Sequence, residues 1–85
     1  MRLERTERFQ RAFQALPKTI HRRAAKQMAL FLGNPRHPSL RIKKMEGCQY
    51  IWEGRITQNY RFTFQIRKDA CILRRIGTHN VLVTL

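Results

Sequence analysis

The chain has 85 residues, which is enough for one domain spanning residues 1–85. Eighteen Lys and Arg residues against five Asp and Glu give a formal net charge of +13, and 42% hydrophobic residues exclude a disordered chain. This charge predicts a polyanionic partner, either a nucleic acid or an acidic protein. We expect no membrane partner, because no stretch approaches the roughly 18 consecutive apolar residues of a spanning helix. Two cysteines outside any motif and a start without a signal-peptide apolar run favour the cytoplasm.

The N-terminal half is predicted to be helical after a short strand at residues 1–5. Thr6 can cap a first helix, whose apolar positions recur at helical spacing: Phe9, Ala12, Phe13 and Leu16. Pro17 suits the first turn of a second helix, which ends at Gly33. The apolar stripe of this second helix comprises Ile20, Ala24, Met28, Phe31 and Leu32. Since almost no linker separates the two helices, they should form an αα-hairpin.

The C-terminal half changes to the period of β-strands. A possible strand opens at Leu40 and Ile42, and others are predicted over 50–57, 60–67 and 71–76, the last ended by Gly77. The predicted fold class is therefore α+β, with an N-terminal helical hairpin packed on a twisted antiparallel sheet of three to five strands.

The strand over 60–67 has the clearest alternation. Its apolar side chains should face the helices, and its polar side chains, Arg61, Thr63, Gln65 and Arg67, should lie on an open face that suits a phosphate backbone. Whether Arg55 shares this face depends on the turn at Gln58-Asn59. A two-residue turn places Arg55 opposite Phe62 on the buried side, whereas a bulge reverses the faces. We favour the bulge, because a buried unpaired arginine is costly.

Two further groups could support chemistry. Arg41, Lys43 and Lys44 form a basic cluster that is either a solvated loop or a site for RNA capture. His79 is the candidate for proton transfer, because an imidazole titrates near neutrality and this one directly follows the last strand. No His, Cys and Asp cluster has the spacing of metal ligands, and no cofactor-binding motif occurs, so neither a metal nor a cofactor is expected.

Three segments, which occur in the same order along the chain, resemble the RelE/ParE toxin superfamily of type II toxin–antitoxin systems. Residues 40–47, Leu-Arg-Ile-Lys-Lys-Met-Glu-Gly, are similar to its "L-kkL-G" element. Residues 52–62 are similar to its central "W-x-x-R-I-T-x-x-y-R" hairpin, especially in YoeB-like members. Residues 76–82 resemble the "GTH-x-x-L" ending of YafQ-like members. Together with the predicted helical hairpin that precedes them, these segments extend the resemblance over nearly the whole chain.

The resemblance implies a toxin that an acidic antitoxin holds inactive. Ribonuclease members of the superfamily cleave mRNA in the ribosomal A site without a metal. The matching positions in this chain are Arg61, as the central phosphate-binding arginine, and His79, as the C-terminal catalytic residue. Lys43, Lys44 and Arg55 are looser matches that would support charge near the scissile phosphate.

The chain also departs from the superfamily pattern. Pro38-Ser39-Leu40 stands where YoeB-like members carry a catalytic Glu, and Val83 lies near the place of the terminal Tyr or Phe. Either Glu53 or a lysine could therefore assist His79 as a second proton-transfer group, although an ion-paired Glu53 is favoured. The leading hypothesis is an mRNA endonuclease. The alternatives are a ParE-like poison of DNA gyrase and a nuclease-dead domain that binds nucleic acid.

Overall fold

A computed structural model describes residues 2–45 and 50–78 of the chain. Two helices lie in one layer, α1 (Glu7–Gln14) and α2 (Lys18–Gly33). The other layer is a sheet whose strands are β1 (Arg2–Arg5), β2 (Lys43–Lys44), β3 (Ile51–Arg55), β4 (Tyr60–Arg67) and β5 (Ala70–Thr78). The order of strands across the sheet is β1-β5-β4-β3-β2. These elements confirm the α+β class and the helical hairpin, while His79 lies outside the described residues.

The sheet is mixed, which corrects the expectation of a wholly antiparallel one. β1 runs parallel to β5, with Leu3 beside Cys71, and the three remaining pairings are antiparallel. The two helices lie between β1 and the rest of the sheet in sequence, so no tight turn forces β1 to run antiparallel to a neighbour. Its direction depends on a contact between the two ends of the chain.

Local signals in the sequence predict the helix boundaries well. Thr6 is the N-cap of α1, and its hydroxyl accepts a hydrogen bond from the Phe9 amide at 3.1 Å. α2 follows Pro17 and ends at Gly33, as predicted. Leu32, which is expected on the buried stripe, is instead 57% exposed. It lies about 100° around the helix from the buried Phe31, at the edge of the face that contacts the sheet.

The segment before β2 differs most from the prediction. Pro38–Leu40 forms a 3-10 turn, with Leu40 fully buried, and the following strand is only two residues long. Pro38 has no amide hydrogen to contribute to a strand pairing, which favours the turn. The last strand of the chain, β5, continues through Gly77 to Thr78, two residues beyond the predicted strand.

The core lies between the helices and one face of the sheet. Phe31 of α2 meets Phe62 and Phe64 of β4 with ring centroids 5.4 and 4.9 Å apart, which confirms the predicted inward face of β4. Gly54 of β3 lies opposite Phe62. A Cβ atom at Gly54 would approach two atoms of the Phe62 ring to 2.3 Å, so the aromatic ring occupies the space that a side chain would need.

Candidate nucleic-acid interface

A β-bulge between β3 and β4 decides which residues share the sheet face away from the helices. The amides of Ile56 and Thr57 both donate to the carbonyl oxygen of Tyr60, at 3.0 and 3.1 Å, so two residues oppose one. The resulting register pairs Arg55 directly with Arg61. This confirms the bulged register and places both arginines on the same face, which we call the arginine face.

Arg61 is held on this face by three oxygen atoms. Its Nε forms a salt bridge with Oε1 of Glu53 at 3.2 Å, and its Nη1 donates to the carbonyl oxygens of Thr57 and, at 3.3 Å, Tyr60. The side chains of Arg61 and Glu53 are only 16% and 11% exposed, and their contact confirms that Glu53 is ion-paired. Among the described residues no acceptor meets Nη2. That edge of the guanidinium is therefore oriented and available to an oxygen ligand.

Arg55 is the second cation of the pair and is less well compensated. Its Nε is buried without a hydrogen-bond partner among the described residues. Burial lowers the pKa of the Arg55 guanidinium, the charges of Arg41 and Arg61 lower it further, and the Glu53 carboxylate raises it. An arginine nevertheless stays protonated in a protein. Two neighbouring guanidinium groups beside a single carboxylate leave an excess of positive charge, which favours the binding of an anion.

The helical layer fixes the backbone that carries Arg55. Gln27 is buried in α2, and its Nε2 donates to the carbonyl oxygen of Arg55 at 3.0 Å. This bond crosses from α2 to the last residue of β3, directly before the bulge. A polar residue within the buried face of α2 thus stabilises the strand end that positions Arg55.

The centre of the arginine face is more buried than an open sheet surface. Thr63 lies opposite Glu53 and is completely buried, although the alternation along β4 predicts it to be exposed. Its hydroxyl has no partner among the described residues. Buried hydroxyl groups without a hydrogen bond are unfavourable and uncommon in folded proteins.

The remaining basic residues predicted for the site separate in space. Arg41 is exposed, has a left-handed φ of 45°, and lies close enough to Arg55 to lower its pKa. Lys43 pairs with Glu53 on the arginine face, whereas Lys44 pairs with Trp52 and belongs to the opposite face. Arg67 is six residues along β4 from Arg61, about 20 Å away at the rise of a strand. Arg41 and Lys43 therefore join the arginine pair, and Lys44 and Arg67 do not.

Sequence reasoning missed two further arginines on this face. A register shift between β4 and β5 occurs next to Thr63, where Arg75 lies opposite Thr63 and the preceding Arg74 is the additional residue. Nη1 of Arg74 donates to Oε1 of Gln65 on the arginine face at 3.1 Å. The signal was the spacing of the buried residues Cys71, Leu73 and Ile76, which changes from two to three across the arginines.

Other kinds of site find little support in the described residues. No group of three or more His, Cys, Asp or Glu side chains that could hold a metal ion occurs in residues 2–45 and 50–78. Neither described helix is long and apolar enough to cross a membrane. A groove of about 970 Å³ lies on the helical side of the molecule, where α1 and α2 meet Leu3 of β1 and Leu73 of β5. It is separate from Arg55 and Arg61.

The fold is that of known bacterial and archaeal toxins. The E. coli DinJ-YafQ toxin-antitoxin complex contains a chain with a TM-score of 0.78 at 13% identity, covering 94% of this chain and 93% of that one. For the RelB-RelE antitoxin-toxin complex from Methanococcus jannaschii the TM-score is 0.75 at 20% identity, with 94% of each chain covered. The YoeB/ParE toxin from Agrobacterium tumefaciens gives 0.75 at 15% identity over 93% of this chain and 99% of that one.

These similarities show the fold of the RelE/ParE-like toxins, and they confirm at that level the resemblance seen in the sequence. No protein-family model and no curated protein sequence matches the chain.

Proposed function

We propose that this chain is the toxin of a type II toxin–antitoxin pair and inhibits translation as a metal-independent, ribosome-dependent mRNA endonuclease. The observation that carries the proposal is the juxtaposition of Arg55 and Arg61 on one sheet face. Glu53 and the bulge carbonyls orient Arg61, and Arg55 has a buried Nε for which the described residues offer no partner. Such an arrangement favours a phosphodiester, whose oxygens can accept from both guanidinium groups.

The chemistry requires two proton transfers and stabilisation of negative charge. A base takes the proton of a ribose 2′-OH, and that oxygen attacks the adjacent phosphorus. The bond from phosphorus to the 5′ oxygen breaks as an acid protonates that oxygen, leaving a 2′,3′-cyclic phosphate and a 5′-OH. Arg61 and Arg55 stabilise the charge that accumulates on the phosphoryl oxygens, with Arg41 and Lys43 adding long-range attraction.

His79 supplies one of these proton transfers in the proposal. The described part of β5 ends at Thr78, one residue before it, and Gly77 pairs with Arg61. The last described residues of β5 thus lie beside the arginine pair. Glu53 serves as the counter-ion that orients Arg61 and balances its charge. Lys44 and Arg67 are assigned to contacts with RNA away from the scissile phosphate.

The proposed partners follow from charge and from the structural neighbours. Two of the neighbours above are toxins solved with an antitoxin, and a formal net charge of +13 suits an acidic antitoxin for this chain as well. The other partner is mRNA on the ribosome, which would place the toxin in the cytoplasm.

The test is induced expression in bacteria followed by mapping of RNA 5′ ends. The wild type should arrest translation and leave mRNAs cut at discrete positions. Arg61→Lys keeps the charge but loses the planar fork, and His79→Ala removes the imidazole; both should abolish the cuts while the proteins remain folded by circular dichroism. Exposed Arg22→Gln on α2 is the matched control and should cut like the wild type.

Two outcomes would contradict the proposal. One is continued translation with accumulation of DNA cleaved by gyrase, which would identify a gyrase poison. The other is unaltered mRNA while the protein binds RNA with a steep salt dependence, which would identify a nuclease-dead binding domain.

A further inference from the structure

The second bulge, on β5, creates a cationic centre beside the arginine pair. Successive strand residues normally point to opposite faces, but a bulge turns two neighbours toward the same one. Arg74 contacts Gln65 and Arg75 pairs with Thr63, so both belong to the arginine face. Two consecutive arginines thereby add their charge to the surface that carries Arg61.

The position of this centre relative to Arg61 follows from the register. Arg61 pairs with Gly77, and Arg75 lies two residues before Gly77 on the adjacent strand. Two residues along a strand and one strand across correspond to about 8 Å between backbone positions. One nucleotide of an extended RNA strand spans such a distance, so a strand held at Arg61 brings its next phosphate to the β5 bulge.

The β5 bulge is also held in place by its surroundings. The Arg74 carbonyl oxygen accepts from the hydroxyl of Thr6 at 3.2 Å, which joins the bulge to the start of α1. Oε1 of Gln65 accepts a hydrogen bond from the Arg74 guanidinium at 3.1 Å, which holds that guanidinium against β4. Between this centre and the arginine pair lies the buried Thr63 hydroxyl, which has no partner among the described residues. Polar groups fixed in this way lose little freedom when they bind an anion.

We propose that Arg74 and Arg75 form a second phosphate subsite, which binds the phosphodiester next to the one held by Arg55 and Arg61. The inference rests on the proposed function, because it takes RNA as the ligand. The subsite binds the substrate equally in the ground state and the transition state. It therefore lowers KM and leaves kcat unchanged.

The first arm of the test measures binding without cleavage. The probe is a short single-stranded RNA with 2′-O-methyl groups on every ribose, titrated with purified protein at several salt concentrations. Arg74→Gln/Arg75→Gln should weaken binding at least tenfold, about the size of one charge-assisted contact. It should also reduce the salt slope by about 1.4, since each lost phosphate contact on a single strand removes about 0.7.

A matched pair of arginines supplies the control for this arm. Arg22 and Arg23 are also consecutive, and both are exposed on α2, in the helical layer. Arg22→Gln/Arg23→Gln makes the same change in net charge and should leave most of the affinity and salt slope intact. Equal losses of RNA affinity in the two double variants would show that Arg74 and Arg75 form no phosphate subsite. If Arg74→Gln/Arg75→Gln unfolds, Arg74→Lys/Arg75→Lys keeps the charge and should show the tenfold loss with an unchanged slope.

The second arm measures cleavage on programmed ribosomes. Arg74→Gln/Arg75→Gln should raise KM with little change in kcat, whereas a fall in kcat at constant KM would contradict the inference. Replacing one phosphate neighbouring the cut by an uncharged methylphosphonate should raise KM for the wild type and have no further effect on the variant. Absence of cleavage by the wild type would refute the proposed nuclease function alone, because the binding arm tests the subsite separately.

Discussion

The close contact between Gly54 and Phe62 allows a quantitative prediction. In Gly54→Ala, the new methyl group would lie 2.3 Å from two ring atoms and 3.0 Å from Cδ1 of Ile42. The ring cannot move freely, because it is fully buried against Phe31 and Phe64, with centroids 5.4 and 5.8 Å away. Overpacking of a close-packed core costs about 1–3 kcal/mol, and the depth of this overlap places the variant at the upper end.

Urea unfolding of the purified variant tests this prediction. The midpoint should fall with an unchanged m-value, as expected for a loss of stability without a change in exposed surface. Phe62→Leu in the Gly54→Ala background should recover part of the loss, with a coupling energy of about 0.5–3 kcal/mol. A Gly54→Ala variant as stable as the wild type, or a double variant showing simple additivity, would refute the close packing. Gly33→Ala is the control, because no atom of the described residues beyond its chain neighbours and its own helical backbone lies within 4 Å of the position that its new methyl group would take.

Three further predictions concern single side chains. Thr63→Val should raise stability by about 1 kcal/mol in urea unfolding, because it removes a buried hydroxyl without a described partner, and a loss of stability would reveal a partner. Thr6→Ala should lower stability by about 0.5–2 kcal/mol, whereas Thr6→Ser, which keeps the capping oxygen, should lose less; equal losses would exclude the cap. Burial raises the pKa of the Cys71 thiol to about 11, so little thiolate exists at about pH 8. In a Cys48→Ser background, the Cys71 thiol should react with a disulfide reagent only after unfolding. Fast reaction of the folded protein would contradict the burial of Cys71.

The sequence predicts the local elements better than their assembly. The cap at Thr6, the stop at Gly33 and the inward face of β4 depend on neighbours within a few residues, and all three agree with the structure. The outward face of β4 agrees less well, because Thr63 is buried. The parallel direction of β1 depends on β5, almost a whole chain length away, and no local pattern encodes it. Leu40 shows a related difficulty, since an apolar residue after a proline suits a buried turn as well as a strand.

In the candidate site, too, the sequence predicts local features better than those that depend on strand register. The cost of burying an unpaired arginine is sufficient to predict the bulge that places Arg55 beside Arg61. The separation of Lys43 from Lys44 required the register of β2, since neighbouring residues in a strand face opposite ways. Arg74 was missed because a bulge in β5 brings it onto the arginine face, and only the changed spacing of apolar residues marks that bulge.

In the function that we propose, the arginine face positions an RNA phosphate for attack by the neighbouring 2′-OH. This is tested with the purified protein, programmed ribosomes and two mRNAs that differ only in a 2′-deoxy substitution at the cleaved nucleotide. We expect the ribose substrate to be cut to a 2′,3′-cyclic phosphate and a 5′-OH, and the deoxy substrate to stay intact. Equal cleavage of both mRNAs, or cleavage of neither, would show that the 2′-OH is not the nucleophile at the arginine face.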